Sequence, residues 1–475
     1  MKTYQPDICI IGAGAAGLSV AAGAAQLGLS VVLFEAGEMG GDCLNYGCVP
    51  SKALIAAAHA AHVSRDSAHL GVASENLAIS WARVQAHVHS AIAAIAPNDS
   101  QERFEGLGVT VIREHARFAD PRTAVSASAR VRARRFLVAT GSRAVLPPIP
   151  GLDQAEALTN ETIFGIGSLP DHLIVLGGGA IGMELGQAFR RLGAKVTVVE
   201  AARVLGPADN DAREVVLTRL RAEGVEILEG WRAKQAARQV ETVTLTLENA
   251  AGEQRDLSGS HLLVAVGRAP ALDGLDLEAA GIRYSRRGIE TSPTLRSSNP
   301  RVWALGDAAG RGLFTHLASW HASVFIRNVL FKAHTRAEAA AIPSVVFTDP
   351  ELAQIGLTEE QARRDHGGKV TTARWGFDDN DRAHASADTQ GFCKLVLGKG
   401  GRILGATIVG AEAGELIAQI ALAMSARLGV RALTSPVLPY PTRVEIVKRA
   451  ASAHFAPALF SPGARALVGW LKRLP

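Results

Sequence analysis

The strongest constraint on the fold of this chain is a glycine pattern that occurs twice, each time in the same setting. The apolar run Asp7-Ile8-Cys9-Ile10-Ile11 is followed by Gly12-Ala13-Gly14-Ala15-Ala16-Gly17, an alanine-rich segment to Leu27, a second apolar run and then Glu35. Leu173 to Leu176 is followed in the same way by Gly177-Gly178-Gly179-Ala180-Ile181-Gly182, Val196 to Val199 and Glu200. Glu35 lies 23 positions after Gly12, and Glu200 lies 23 after Gly177. Strand, glycine turn, helix and strand with a terminal carboxylate is the dinucleotide-binding unit. The first glycine makes the turn, the second admits the pyrophosphate, the third lets helix and strand pack closely, and the carboxylate meets the ribose hydroxyls. One such glycine string is weak evidence. Two complete ones predict two Rossmann-like domains and two bound nucleotides.

Each unit is followed by alternating strand-like runs that predict an antiparallel excursion: Val109 to Ile112 and Phe136 to Gly141 after the first, Val243 to Leu247 and Leu262 to Arg268 after the second. A further strand, Arg301 to Leu305, ends in Gly306-Asp307, where an aspartate either bonds a polyol or caps a helix. From about Pro343 the texture changes to β-branched strands near Ser344–Phe347 and Cys393–Leu397, with a helix over about 415–428. The expected fold is α/β, with two dinucleotide-binding domains and a C-terminal α+β domain. Its segments are 1–150, 151–270, 271–340 and 341–475.

A chain of 475 residues is too long for one core and points to three or four domains by size. Its net charge of +5 is small for that length, and its basic residues form no run that would suit nucleic acid. Of only four cysteines, two fall in Gly40-Gly41-Asp42-Cys43-Leu44-Asn45-Tyr46-Gly47-Cys48-Val49-Pro50-Ser51-Lys52. Their spacing is wider than Cys-x-x-Cys, and nothing nearby completes a zinc site, so no metal is expected. Such sparse cysteine suits a reducing compartment and a cytoplasmic protein. The glycines and Gln26 break the apolar segment from Ile8 to Phe34, and neither a basic cluster before it nor a cleavage pattern after it suggests a signal peptide.

In order, Gly12–Gly17, Cys43–Lys52, Ala139-Thr140-Gly141, Gly177–Glu184, Val266-Gly267-Arg268, Gly306-Asp307 and Val346-Phe347-Thr348-Asp349-Pro350-Glu351 resemble the pyridine nucleotide–disulfide oxidoreductase family over roughly residues 5 to 450. The dihydrolipoamide dehydrogenase and mercuric reductase branch is nearest. The resemblance implies FAD on Gly12, Gly14, Gly17, Glu35, Lys52, Thr140, Gly141, Gly306 and Asp307. It implies a nicotinamide nucleotide on Gly177, Gly179, Gly182, Glu200 and Gly267. It implies a redox-active disulfide between Cys48, next to the flavin, and Cys43, which meets the substrate, with Lys52 and Glu184 paired beside the flavin. A homodimer sharing its active sites across the interface is implied as well. Glu200 favours NAD, because a carboxylate there accepts from a 2′-hydroxyl and repels a 2′-phosphate.

The chain departs from the family at one catalytic position. Most disulfide-reducing members carry His-Pro-Thr and then Glu, where this chain has Tyr440-Pro441-Thr442 and Glu445. A tyrosine titrates near pH 10 against about 6.5 for histidine, so Tyr440 is a poor proton shuttle but still a hydrogen-bond donor. Tyrosine here resembles mercuric reductase, yet no cysteine follows Cys393 to supply that enzyme's C-terminal pair. The expectation is an NADH-linked flavoenzyme acting on a small-molecule or protein-borne disulfide or thiol-bound acceptor. A dihydrolipoamide dehydrogenase, a mercuric-type reductase and a non-catalytic flavin/NAD redox sensor are the alternatives. His316 and His321 are read as packing residues. The tail from about Phe455, with Trp470 among basic residues, is read as packing on its own dimer rather than touching a membrane surface.

Overall fold

The structure, a computed structural model, describes every residue except Glu75, Ala340 and Pro475. Ala340 and Pro475, which close two of the expected segments, therefore lie outside the described residues. The chain divides into two compact units, residues 1–204 with 226–339, and residues 205–225 with 340–475. Both glycine fingerprints fall in the first unit.

In the first unit, five parallel strands lie in the order Val302–Ala304, Arg135–Val138, Ile8–Ile11, Val31–Phe34 and Thr110–Ile112. Alternate residues of the strands feed two cores. Ile8, Ile10, Leu33 and Leu137 pack with the helices Ala15–Gln26 and Thr315–Val329, while Cys9, Ile11, Phe34 and Phe136 pack on the opposite face with Phe118. Burial on both faces explains why these strands read as unbroken apolar runs. It also accounts for Cys9, which is fully buried in the second of these cores and far from solvent.

The second fingerprint builds a parallel sheet in the order Glu226–Glu229, Lys195–Glu200, His172–Leu176, His261–Val264. The excursions use other residues than expected: Lys2–Tyr4 with 117–131 forms a four-stranded mixed sheet and 231–259 a three-stranded antiparallel meander that takes in Val243–Leu247, whereas Thr110–Ile112, Arg135–Val138 and His261–Val264 join the parallel sheets as their buried apolar strands. A two-stranded ribbon, Ser142–Ala144 against Arg268–Pro270, joins the two nucleotide folds within this unit.

In the second unit, a five-stranded antiparallel sheet runs Pro343–Val346, Glu351–Gly356, Ile403–Gly410, Phe392–Leu397, Thr371–Gly376. The helices Ala413–Ser425 and Glu445–Leu459 cover its apolar face, and Cys393 lies in that core. Lys394, nearly buried, holds Asp209 at 2.9 Å and Asp211 at 2.7 Å, so the segment 205–225 is fastened to this sheet by charge as well as by packing.

Candidate active site

The two glycine turns repeat each other in atomic detail. Gly12 and Gly177 have φ of 107° and 114°, which only glycine adopts without strain. A Cβ on Gly17 would sit 1.9 Å from the Gly12 carbonyl oxygen, and one on Gly182 would sit 2.0 Å from that of Gly177. Gly14 and Gly179, by contrast, have nothing within 4 Å of that position. Each is the N-cap of a helix, Ala15–Gln26 and Ala180–Leu192, whose first-turn backbone N–H groups have no partner within the helix itself.

The terminal carboxylates are fixed in matching ways. Glu35 accepts from the Ala13 N–H at 2.6 Å and the Gly37 N–H at 2.7 Å. Glu200 accepts from the Gly178 N–H at 2.8 Å and the Ala202 N–H at 2.9 Å. Each carboxylate has lone pairs left for ribose hydroxyls. The Thr140 hydroxyl is buried without a protein partner, the kind of polar atom that a bound group completes. Residues around the first turn therefore fit a dinucleotide such as FAD, and those around the second fit a nicotinamide nucleotide.

The cysteine loop is tied directly to the first turn. The Gly40 N–H donates to the Ala13 carbonyl at 3.0 Å, and a Cβ on Gly41 would meet Gly14 Cα at 2.9 Å. The pair lies on two helices rather than on one. Cys43 belongs to the short helix Gly41–Asn45, and Cys48 is the first residue of Cys48–Asp66. Gly47, between them, has non-helical dihedrals, and a Cβ there would stand 2.9 Å from the Asp42 carboxylate.

This break places Cys48 at a helix N-terminus, where the dipole favours a thiolate. The Cys43 thiol donates to the Cys48 sulfur, which with Thr315 and the charge of Lys52 lowers the Cys48 pKa to about 6. Cys48 Sγ lies 3.6 Å from Thr315 Oγ1. The same hydrogen bond, together with burial, pushes the Cys43 thiol well above its ordinary range. One thiolate and one thiol is the state that the pair favours at neutral pH.

Lys52 Nζ lies 2.7 Å from Glu184 Oε2, with the Glu184 side chain only 7% exposed. The ion pair joins the cysteine helix to the helix of the second turn. At the Gly306-Asp307 strand end, Asp307 accepts from the Ser142 hydroxyl at 2.5 Å, and burial raises its pKa. Gly306 donates its N–H to Nδ1 of His321, which is buried and shifted down to about pH 4 by that burial. His321, expected only to pack, thus serves as a neutral acceptor for this motif.

Several contacts of the site were not foreseen, although Arg268 closes the Val266-Gly267-Arg268 motif. Arg268 donates to the Ser142 hydroxyl at 2.9 Å and its carbonyl at 2.8 Å, and pairs with Asp42 at 3.0 Å. Asn160 donates to Asp42 at 2.9 Å and to the Tyr46 carbonyl at 3.2 Å. A cavity of about 430 Å3 opens beside Cys43, lined by Leu18, Leu44, Val49, Phe104, Asp99 and Arg103 among others. Burial raises the Asp99 pKa, opposed by Arg103.

Tyr440 and Glu445 lie in the second unit. The exposed Tyr440 hydroxyl donates to Asp381 at 2.7 Å, and that bond raises its pKa further. Glu445 is the first residue of the helix Glu445–Leu459.

Two nucleotide folds flanking a helix-poised dithiol define a flavoprotein of the thiol–disulfide oxidoreductase class. The chain belongs to the pyridine nucleotide-disulphide oxidoreductase family, whose model matches residues 6–325, with the family's dimerisation domain at residues 342–451. It is 36% identical over 456 residues to a dihydrolipoyl dehydrogenase of Geobacillus stearothermophilus, covering 94% of this chain and 96% of that protein. It is 34% identical over 453 residues to a mercuric reductase of Streptomyces lividans, covering 94% and 95%. The HOCl-induced flavoprotein disulfide reductase RclA of Escherichia coli superposes with a TM-score of 0.84 at 27% identity, covering 94% of this chain and 99% of that one. Family members use FAD and NAD(P)H, so this is an FAD-dependent, pyridine-nucleotide-linked disulfide oxidoreductase, and its dimerisation domain supports a homodimer.

Proposed function

We propose that this chain is an NADH-linked reductase in which Cys43 and Cys48 relay electrons to a disulfide or thiol-bound acceptor, in the cytoplasm, with active sites shared across a homodimer. The observation that carries the reading is the asymmetry of the pair: Cys48 is held toward thiolate at a helix N-terminus, and Cys43 stays a thiol beside the open cavity. FAD, held by Gly12, Gly14, Gly17, Glu35, Thr140, Gly141, Gly306 and Asp307, supplies the two-electron link between nicotinamide and disulfide. Glu200 would accept from the 2′-hydroxyl of NADH. Lys52 and Glu184 support the interior side of the site.

Once the pair is reduced, Cys43 loses its proton to solvent and attacks one sulfur of the acceptor, and one thiol leaves. The Cys48 thiolate then attacks Cys43, which restores the Cys43–Cys48 bond and frees the second thiol. The two thiol groups give up two electrons and the acceptor disulfide gains two. Tyr440, supplied with Glu445 from the partner, would donate a hydrogen bond rather than move protons, since its phenol is held protonated by Asp381. This argues against lipoamide as the main acceptor and favours one with good leaving thiolates. The decisive experiment is NADH oxidation with lipoamide by the native chain and by Tyr440→His. A slow native rate that rises markedly in the variant supports the reading, while brisk native turnover assigns a dihydrolipoamide dehydrogenase instead.

A further inference from the structure

The last helix, Pro462–Leu471, buries none of its residues. Ser461 accepts from the Ala464 N–H at 3.2 Å and Pro462 occupies its first turn, so the segment starts a helix of its own rather than fraying from the one before. At about 100° per residue, Leu467, Val468, Trp470 and Leu471 gather on one side of the helix, with Arg465 on the other. Lys472 and Arg473 lie in the turn that follows, and the same period carried on through it puts them with Arg465. The apolar side is open, with Val468 61% and Trp470 59% exposed. Phe460 and Leu459, just before it, extend the same exposed patch.

After Glu445 the chain contains no further Asp or Glu, while Lys448, Arg449, Arg465, Lys472 and Arg473 are basic. The family's dimerisation domain ends at residue 451, before this helix begins.

We propose that this C-terminal helix lies flat on an anionic lipid surface, with Leu467, Trp470 and Leu471 in the acyl boundary and Arg465, Lys472 and Arg473 among the headgroups. A helix of 10 residues spans only about 15 Å, half of a hydrocarbon core, and no helix among the described residues is long and apolar enough to cross a membrane. Lying in the interface is what such a length, a tryptophan and a one-sided basic edge suit. Charge complementarity selects this occupant over a second copy. Two such helices meeting about a two-fold axis would bring basic edges together with no acidic residue in either tail to offset them. Attachment of this kind leaves the nucleotide folds in the aqueous phase and concentrates the enzyme near a surface.

The test is sedimentation of the full-length holoprotein with phosphatidylglycerol-containing vesicles and with pure phosphatidylcholine vesicles, at low and high salt. The proposal predicts binding to the anionic vesicles that falls at least tenfold at high salt, and tenfold or more in the triple variant Arg465→Glu, Lys472→Glu, Arg473→Glu. Leu467→Glu with Trp470→Glu should abolish binding while NADH turnover and dimer mass stay unchanged. No sedimentation with anionic vesicles, equal binding to phosphatidylcholine, or conversion of the dimer to monomers by Leu467→Glu with Trp470→Glu would each overturn it, the last by assigning the face to a second copy.

Discussion

The Arg268 guanidinium lies 3.0 Å from the Asp42 carboxylate, one residue before Cys43, while its other donors hold Ser142. Ser142 in turn donates to Asp307 at 2.5 Å. A single side chain therefore connects the strand-end aspartate of the first nucleotide fold to the cysteine loop. The fork of a guanidinium can serve both at once, and an ammonium cannot.

Arg268→Met should lower the rate of acceptor reduction about tenfold, equivalent to roughly 1.4 kcal/mol, and Arg268→Lys should recover little of it. The readout that separates positioning from general instability is kcat against KM for NADH. The loss belongs in kcat, with thermal stability falling only modestly.

Cys48 should titrate near pH 6 in the two-electron-reduced enzyme. Its pKa is lowered, so the thiolate is present above about 6 and is lost as pH falls through that value. Long-wavelength charge-transfer absorbance between the Cys48 thiolate and the flavin, followed against pH, measures it directly. Thr315→Ala removes one stabilising contact and should move the midpoint upward. A native midpoint in the ordinary thiol range near 8.5 would contradict the helix-terminus account.

Glu200→Ala should narrow the preference for NADH over NADPH by about tenfold to a hundredfold, an effect of roughly 1–3 kcal/mol. Most of the change should fall in KM. Because the carboxylate also anchors Gly178 and Ala202, some loss of NADH turnover is expected too. Comparing kcat/KM for the two nucleotides checks the direction.

His321 makes stability depend on pH. Its pKa is about 4 in the folded chain against about 6.5 for an ordinary histidine, so the unfolded chain binds the proton more readily between these limits. Stability attributable to this residue is complete above about pH 6.5, is lost as pH falls, and levels off below 4. The ceiling is on the order of 3 kcal/mol. The unfolding midpoint of the native protein should fall relative to that of His321→Gln, which keeps an acceptor for Gly306 without titrating, as pH falls through this window.

Local sequence spoke clearly wherever local geometry decides the structure. Gly12, Gly17, Gly177 and Gly182 were legible because a side chain at any of them meets backbone within its own turn or is barred by positive φ. The unbroken apolar runs Ile8–Ile11 and Val31–Phe34, buried on both faces, made these strands readable as well. What stayed hidden depends on residues far apart in the chain. Thr315 reaches Cys48 across 267 positions, and Asn160 reaches Asp42 across 118. Neither serine, threonine nor asparagine advertises such a contact, because each is equally common in loops. The break between Cys43 and Cys48 has no signal of its own in the sequence: Gly47 reads as one more small residue until the Asp42 side chain is seen filling the space beside it. His321 gave no signal either, since a histidine used as a neutral acceptor looks in sequence like one that merely packs.

The measurement closest to the central claim is anaerobic titration with NADH of the native enzyme, Cys43→Ser and Cys48→Ser. If Cys48 is the thiolate beside the flavin and Cys43 the exchanging thiol, the native enzyme takes up more reductant than either variant. Cys43→Ser keeps the long-wavelength absorbance and Cys48→Ser loses it. Equal uptake by all three proteins, or absorbance retained in Cys48→Ser and lost in Cys43→Ser, would contradict the relay and the roles assigned to its two sulfurs.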